Sequence, residues 1–164
     1  KKGDDIRVVP IGFTSKIKAI ETLSGSLEEA FPPLAVTILL EDELDISRGN
    51  MLVHTTNQPQ STQDIEAMVC WMSEKPMTPK GKYALMHTTQ FSRAMIQEIV
   101  YKVDINTLNK VEGAGQLAMN EIGKIKLRTM QPLFWDSYRK NRNTGSFVLI
   151  DEATHVTVGA CMIV

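Results

Sequence analysis

The sequence has few of the features that mark membrane proteins and nucleic-acid-binding proteins. No stretch approaches the roughly 20 consecutive apolar residues that a membrane-spanning helix needs, and no N-terminal segment has the pattern of a signal peptide. The formal net charge is −1 and aromatic residues make up 6% of the chain, whereas nucleic-acid binders normally carry a basic excess. We therefore expect neither a membrane nor a nucleic acid as a partner.

Sequence motifs for nucleotide, nucleophilic and metal chemistry are also lacking. Neither a GxxxxGK[ST] phosphate-binding loop nor a Gly-x-Ser-x-Gly turn occurs in the sequence. The three histidines, His54, His87 and His155, have no metal-ligand spacing to one another or to a cysteine, which favours structural, hydrogen-bonded roles. The sequence thus predicts no catalytic, cofactor-binding or metal-binding residue.

Only two cysteines are present, Cys70 and Cys161, and both lie in apolar runs. This pattern is typical of small buried residues in a reducing compartment, so we expect a cytoplasmic protein. The sequence leaves open whether the two cysteines lie close together.

The sequence is rich in short segments whose apolar residues recur at every second position, which is the pattern of β-strands. Turn signals of Gly, Pro, Asn and Asp separate these segments, and no long helical pattern is clear. We predict an all-β protein built as closed barrels, because closure removes exposed sheet edges. The predicted strands are 6–9, 15–20, 34–40 (as a buried strand), 51–53, 65–72, 82–87, 124–129, 146–150 and 156–164.

One segment, residues 91–103, gives two conflicting signals. Phe91, Met95, Ile99 and Val103 recur every four residues, which favours a helix. The β-rich run Ile99-Val100-Tyr101 favours a strand. Periodicity taken alone favours the helix.

The polar stretch 55–62 contains no apolar residue and is the best candidate for a linker between two domains. The chain also begins abruptly, with Lys1-Lys2-Gly3-Asp4-Asp5 leading straight into a strand pattern. We therefore expect the chain to be a piece of a longer protein.

Residues 135–145 combine two aromatic side chains and three bases with turn-forming residues, just before a strand. Exposed Trp, Tyr and Arg side chains are enriched in the parts of interfaces that dominate binding energy. The segment is therefore either a partner-docking surface or a basic loop with its aromatic side chains tucked beneath it. The candidate docking residues are Trp135, Tyr138, Arg139, Lys140 and Arg142.

Several motifs resemble the β-barrel domains of translation-type GTPases. The segment 44–51, with its turn Arg48-Gly49-Asn50, is similar to the strand that closes the second domain of those proteins. Residues 2–10 resemble the middle of the same barrel, and residues 145–151 with Thr157-Val158-Gly159 resemble the last hairpin of the third domain.

Within that superfamily the chain most resembles the large subunit of sulfate adenylyltransferase. Two stretches carry this likeness, residues 67–76 and 134–142, and residues 101–108 agree with it. The resemblance implies that 91–103 is a strand. It implies two small β-barrels of the elongation factor Tu domain II and domain III type, the first incomplete. The implied boundaries are 1–57 for the first barrel, 58–63 for the linker and 64–164 for the second.

The resemblance also implies a function. In that family the large subunit is a GTPase paired with a small catalytic subunit, and the pair makes adenylyl sulfate and pyrophosphate from ATP and sulfate. GTP and Mg would bind in an upstream GTPase domain, so the present chain would be inactive alone. Its partners would be the small subunit and its own GTPase domain, and open strand edges in the first barrel would allow self-association. The alternative is a tRNA-binding pair of barrels from an elongation factor-like GTPase.

Overall fold

The computed structural model describes all 164 residues and contains twelve β-strands and no α-helix, which confirms the all-β prediction. No helix is present that could cross a lipid bilayer. The chain divides into two compact units, Lys1–Pro59 (unit 1) and Gln60–Val164 (unit 2). The strands are β1 (Asp5–Val9), β2 (Thr14–Thr22), β3 (Gly25–Leu27), β4 (Thr37–Leu40), β5 (Met51–His54), β6 (Gln60–Trp71), β7 (Lys82–His87), β8 (Gln90–Val103), β9 (Lys110–Glu112), β10 (Ile122–Trp135), β11 (Ser146–Ile150) and β12 (Thr157–Ile163).

Unit 1 is a half-barrel built around β2. This strand pairs with β1, β3 and β4, and β1 also pairs with β5. Along β2, Ile17 is buried in a small core while Lys16 points outward and pairs with Asp5 at 2.8 Å. An irregularity between Ile17 and Ala19 in the pairing with β4 then shifts the alternation, so that Ile20 is buried in the same core. The fully buried part of that core consists of only Ile6, Val8, Ile17 and Ile20.

The half-barrel leaves apolar side chains uncovered. β4 and β5 each have only one neighbouring strand, which confirms that the first barrel is incomplete. The predicted buried strand 34–40 is therefore wrong in two respects: the strand covers only Thr37–Leu40, and Ile38 and Leu39 remain exposed. Without a strand on the far side of β4, an apolar sequence alone cannot bury them.

Unit 2 is a closed barrel of six strands in the order β10-β6-β12-β11-β7-β8, and β10 closes the ring by pairing with β8. The short strand β9 adds to β8 outside the ring. Inward-facing residues fill the interior, among them Trp71, whose ring lies edge-on to Tyr83 at a centroid distance of 5.4 Å. Other fully buried side chains include Ile65, Met77, Leu85, Ile96, Leu117, Ile125, Leu127, Leu133, Leu149 and Ile163.

The ambiguous segment 91–103 is a strand, as the resemblance implied, and the helix favoured by periodicity is wrong. β8 buries Ala94 and Ile96 and exposes Phe91 and Met95, which is a period of two. An irregularity in its pairing with β10 between Ile96 and Glu98 then shifts the alternation, so that Ile99 faces inward. Apolar residues on both faces of a bulged strand thus produced a false period of four.

The predicted linker, 58–63, is not a separate connecting segment, because β6 begins at Gln60. Gln60, Ser61 and Thr62 pair with the last residues of β10, and Gln60 lies opposite Trp135. Their side chains are exposed on the barrel wall, so polar residues are tolerated there. Backbone pairing in a long antiparallel ladder overrides the turn-like composition of this stretch.

Candidate partner-docking loop

Residues 136–145, here called the docking loop, connect β10 to β11 and are folded by their own hydrogen bonds. The Asp136 carboxylate organises the loop: Oδ1 accepts from Lys140 Nζ at 2.6 Å and Oδ2 accepts from Thr144 Oγ1 at 3.0 Å. Two turns follow, in which the Asn141 amide donates to the Ser137 carbonyl at 3.0 Å and the Gly145 amide donates to the Asn141 carbonyl at 2.8 Å. The loop therefore has a defined shape before any partner binds.

The docking loop is fastened to the last strand of the barrel at both ends. The Tyr138 amide donates to the Ile163 carbonyl at 2.9 Å, and the Ile163 amide donates to the Gly145 carbonyl at 2.8 Å. The backbone of Tyr138 passes directly over Gly145, so that a Cβ at Gly145 would stand 2.5 Å from the Tyr138 amide nitrogen and 2.6 Å from the Asn141 carbonyl oxygen. Only glycine permits this close approach.

The two aromatic residues of the predicted docking surface occupy different places. Trp135 is the last residue of β10 and belongs to the barrel core, with its indole Nε1 donating to Thr62 Oγ1 at 3.3 Å. Tyr138 is half-buried at the base of the loop. The structure thus places the tryptophan in the barrel core, and Trp135 is not an exposed residue of the docking surface.

The three bases of the predicted surface are all exposed, but they differ in charge compensation. Lys140 is neutralised by Asp136 within the loop. Arg139 and Arg142 make no salt bridge within the chain, and the Arg142 guanidinium lies 5.8 Å from the centroid of the Tyr138 ring. Two uncompensated arginines beside an aromatic ring are therefore presented to solvent, a combination suited to carboxylate recognition.

Sequence reasoning missed one residue that supports the loop. His87, at the end of β7, is buried, and its Nε2 lies 2.7 Å from the Thr144 carbonyl oxygen, so in the neutral ring Nε2–H donates this hydrogen bond. Burial lowers the pKa of His87 below its ordinary value near 6.5, although the hydrogen bond to Thr144 opposes that shift. The sequence indicated a structural histidine but offered no signal that the loop was its partner.

His87 gives the barrel a predictable response to pH. A histidine whose pKa is lowered by folding stabilises the folded state above its unfolded pKa, and this stability is lost as the pH falls below about 6.5. We expect the free energy of unfolding of unit 2 to fall between pH 7.5 and pH 5.5, and His87→Gln, which keeps a donor but does not titrate, to show a smaller fall. Urea unfolding followed by tryptophan fluorescence measures the free energy of unfolding of unit 2, because Trp71 and Trp135 both lie in that unit.

The exposed residue His155 supplies the control for this measurement. His155 has a positive φ of 57°, so asparagine, which tolerates that conformation, is the appropriate replacement. His155→Asn should keep the wild-type pH dependence. If His87→Gln and His155→Asn reduced the pH dependence of the free energy of unfolding equally, the role assigned to His87 would be wrong.

The two cysteines lie on neighbouring strands, and neither forms a disulfide. Cys70 of β6 pairs with Ala160 of β12, while Cys161 pairs with Val69. Cys161 shares the inward face with buried Val69, so Cys70 points to the outer face of the barrel. Burial, with a contribution from nearby Cys70, raises the pKa of the Cys161 thiol well above its usual range.

Together, a half-barrel followed by a closed six-stranded barrel define an all-β protein of the elongation-factor-like type. The family described as GTP-eEF1A C-terminal domain-like matches residues 64–164, and the chain belongs to that family. The fold agrees with a crystal structure of Sup35 complexed with GDP, which has a TM-score of 0.88 at 20% identity and covers 100% of this chain and 40% of that one. At that identity the likeness shows the fold alone.

Curated relatives confirm the resemblance to the large subunit of sulfate adenylyltransferase. The chain is 46% identical, over 99% of its length, to the bifunctional enzyme CysN/CysC of Mycobacterium tuberculosis strain H37Rv, of which it covers 27%. It is 44% identical, over 100% of its length, to sulfate adenylyltransferase subunit 1 of Bacteroides thetaiotaomicron, of which it covers 36%. The chain thus spans about a third or less of the length of these relatives.

Proposed function

We propose that the chain supplies the barrel domains of a sulfate adenylyltransferase large subunit, the enzyme that makes adenylyl sulfate and pyrophosphate from ATP and sulfate. The observation that supports this proposal most strongly is the identity of 44–46% to curated relatives over essentially the whole chain. The rival function, holding a tRNA, has weaker support: the elongation-factor-like Sup35 structure is 20% identical, and the net charge of −1 does not favour nucleic acid.

In this proposal the barrels serve assembly and coupling, and the chemistry takes place elsewhere. GTP and Mg bind in a GTPase domain of the parent chain, while ATP and sulfate react in the small subunit. The barrels move as rigid bodies when the GTPase domain changes its nucleotide state, and this movement transmits the change to the small subunit. The docking loop supports this role, because its internal hydrogen bonds fix the backbone that carries Tyr138 and two uncompensated arginines before binding.

The proposal includes two further elements. The unpaired cysteines fit a cytoplasmic location. In the parent protein, additional strands would complete unit 1, whereas the chain alone could self-associate through its open strands β4 and β5.

A first experiment tests where the nucleotide binds. Isothermal titration calorimetry of the 164-residue chain with GTP and with ATP, each with Mg²⁺, should show no binding at micromolar concentrations, because the sequence contains no phosphate-binding loop. The full-length large subunit, titrated in the same way, is the positive control. Micromolar affinity of the 164-residue chain for GTP would contradict the proposed division of labour.

A further inference from the structure

A shallow apolar groove of about 680 Å³ lies on the outer wall of unit 2, beside the docking loop. Its floor is a row of outward-facing residues that the strand register places side by side: Met86 pairs with Val148, Val148 with Ala160, and Ala160 with Cys70. Met162 extends the floor along β12. We call this surface, floored by Met86, Val148, Ala160, Cys70 and Met162, the outer groove.

The outer groove is uncharged and lies beside a docking loop that carries two arginines without salt bridges. None of the residues that line it is charged, and the docking loop contributes Tyr138 and Asn143 to its rim. The Arg142 guanidinium lies over the Tyr138 ring at 5.8 Å, and neither it nor Arg139 has a carboxylate partner in the chain. The groove therefore offers apolar surface next to two cations without counter-ions.

We propose that the outer groove and the docking loop together form the binding site for a segment of a separate chain, the second subunit of the enzyme. That segment presents an apolar side chain to the Met86–Val148–Ala160–Cys70 floor and a carboxylate to Arg142. This inference rests on the proposed function and adds to it the position and the chemistry of the contact. The name of the Bacteroides thetaiotaomicron relative, sulfate adenylyltransferase subunit 1, implies that such a second chain exists.

Three properties of the surface argue for this occupant. A carboxylate on the partner would compensate Arg139 and Arg142, which no acidic residue of this chain does. The two methionine side chains of the floor, Met86 and Met162, can adapt their shape to an apolar guest. A stable interface needs about 800 Å² on each partner, so the groove and the loop are expected to act as one continuous surface.

Cys70 provides a direct reporter of the occupied groove. It is half-buried in the floor, whereas Cys161 is buried behind the same sheet at 2% exposure. We would label the full-length large subunit with N-ethylmaleimide, alone and in complex with the purified second subunit, and follow each cysteine by peptide mass spectrometry. Labelling of Cys70 should slow at least 10-fold in the complex, while Cys161 stays unlabelled in both.

The labelling outcomes separate the inference from the proposed function. If no complex forms, the proposed function is wrong. If the complex forms and Cys70 is labelled at the same rate, the second subunit docks elsewhere and only the present inference fails. If Cys70 is already unreactive in the large subunit alone, the parent chain's own domains cover the groove, and the inference is again wrong.

A matched pair of substitutions tests the same surface by affinity. Met162 in the groove and Met95 on the outer face of β8 are exposed to nearly the same extent, 37% and 38%. Met162→Glu places a carboxylate where the partner's apolar side chain would lie and should weaken binding of the second subunit at least 10-fold. Met95→Glu should change it by less than 2-fold. Equal effects of the two variants would contradict the assignment.

Discussion

The triple variant Tyr138→Ala, Arg139→Ala, Arg142→Ala is expected to weaken binding of the large subunit to its second subunit by about 30-fold or more. Truncating a true interface hot spot costs about 2 kcal/mol or more, which corresponds to a factor of about 30. Lys140 is deliberately left in place, because its ammonium group holds Asp136 and thereby the shape of the loop. Binding is measured by calorimetry on the full-length subunits, and GTP-stimulated adenylyl sulfate synthesis is measured on the same preparations.

The loss of two positive charges needs its own control. Lys75 and Lys82 are exposed residues of unit 2 without a salt bridge, and they lie outside the docking loop. The variant Lys75→Ala, Lys82→Ala should bind like the wild type, whereas Arg139→Ala, Arg142→Ala should not, although both change the net charge equally. Wild-type assembly and synthesis by the triple variant would mean that the docking loop is only a solvated hairpin.

Gly145→Ala is expected to destabilise unit 2 by about 1–3 kcal/mol, the usual cost of overpacking. Its methyl group would collide with main-chain atoms of Tyr138 and with the Asn141 carbonyl oxygen. These atoms belong to the backbone, so no side-chain rotation can relieve the clash. The loop must move away from β12, which should also weaken partner binding. Urea unfolding followed by tryptophan fluorescence reports the change for unit 2 alone.

Gly115→Ala is the matched control, because an added Cβ at Gly115 meets no atom within 4 Å and its backbone does not adopt a positive φ. Its effect on the free energy of unfolding should stay within about 0.5 kcal/mol. Equal stability of the two alanine variants would show that the loop relaxes freely, and the preformed docking surface would lose its structural basis.

The strands of unit 2 were the most predictable part of the molecule. Two of them, Lys82–His87 and Ser146–Ile150, coincide with the predicted ranges, because each is a short apolar run that itself contains no bulge. β8 was harder to predict, because its bulges place apolar residues on both faces. A bulge depends on the partner strand, and no pattern within residues 91–103 encodes it.

The candidate site could be predicted only in part. Composition drew attention to residues 135–145, but it could not separate the buried Trp135 from the exposed Arg139 and Arg142. That difference follows from strand length: β10 runs on to Trp135, so its last side chain faces the barrel interior. The link from His87 to Thr144 joins residues far apart in the sequence, and a single sequence contains no signal of such a contact.

The way the ring of unit 2 closes also determines when it can fold during synthesis. β6, the first strand of the unit, has β12, the last, as one of its two neighbours, and Ala67 pairs with Ile163. While the ribosome extends the chain by about 5–20 residues per second, β6 lacks that neighbour until nearly the whole unit has emerged. The nascent chain thus exposes an unpaired apolar strand for several seconds, when binding by a chaperone would be of most use.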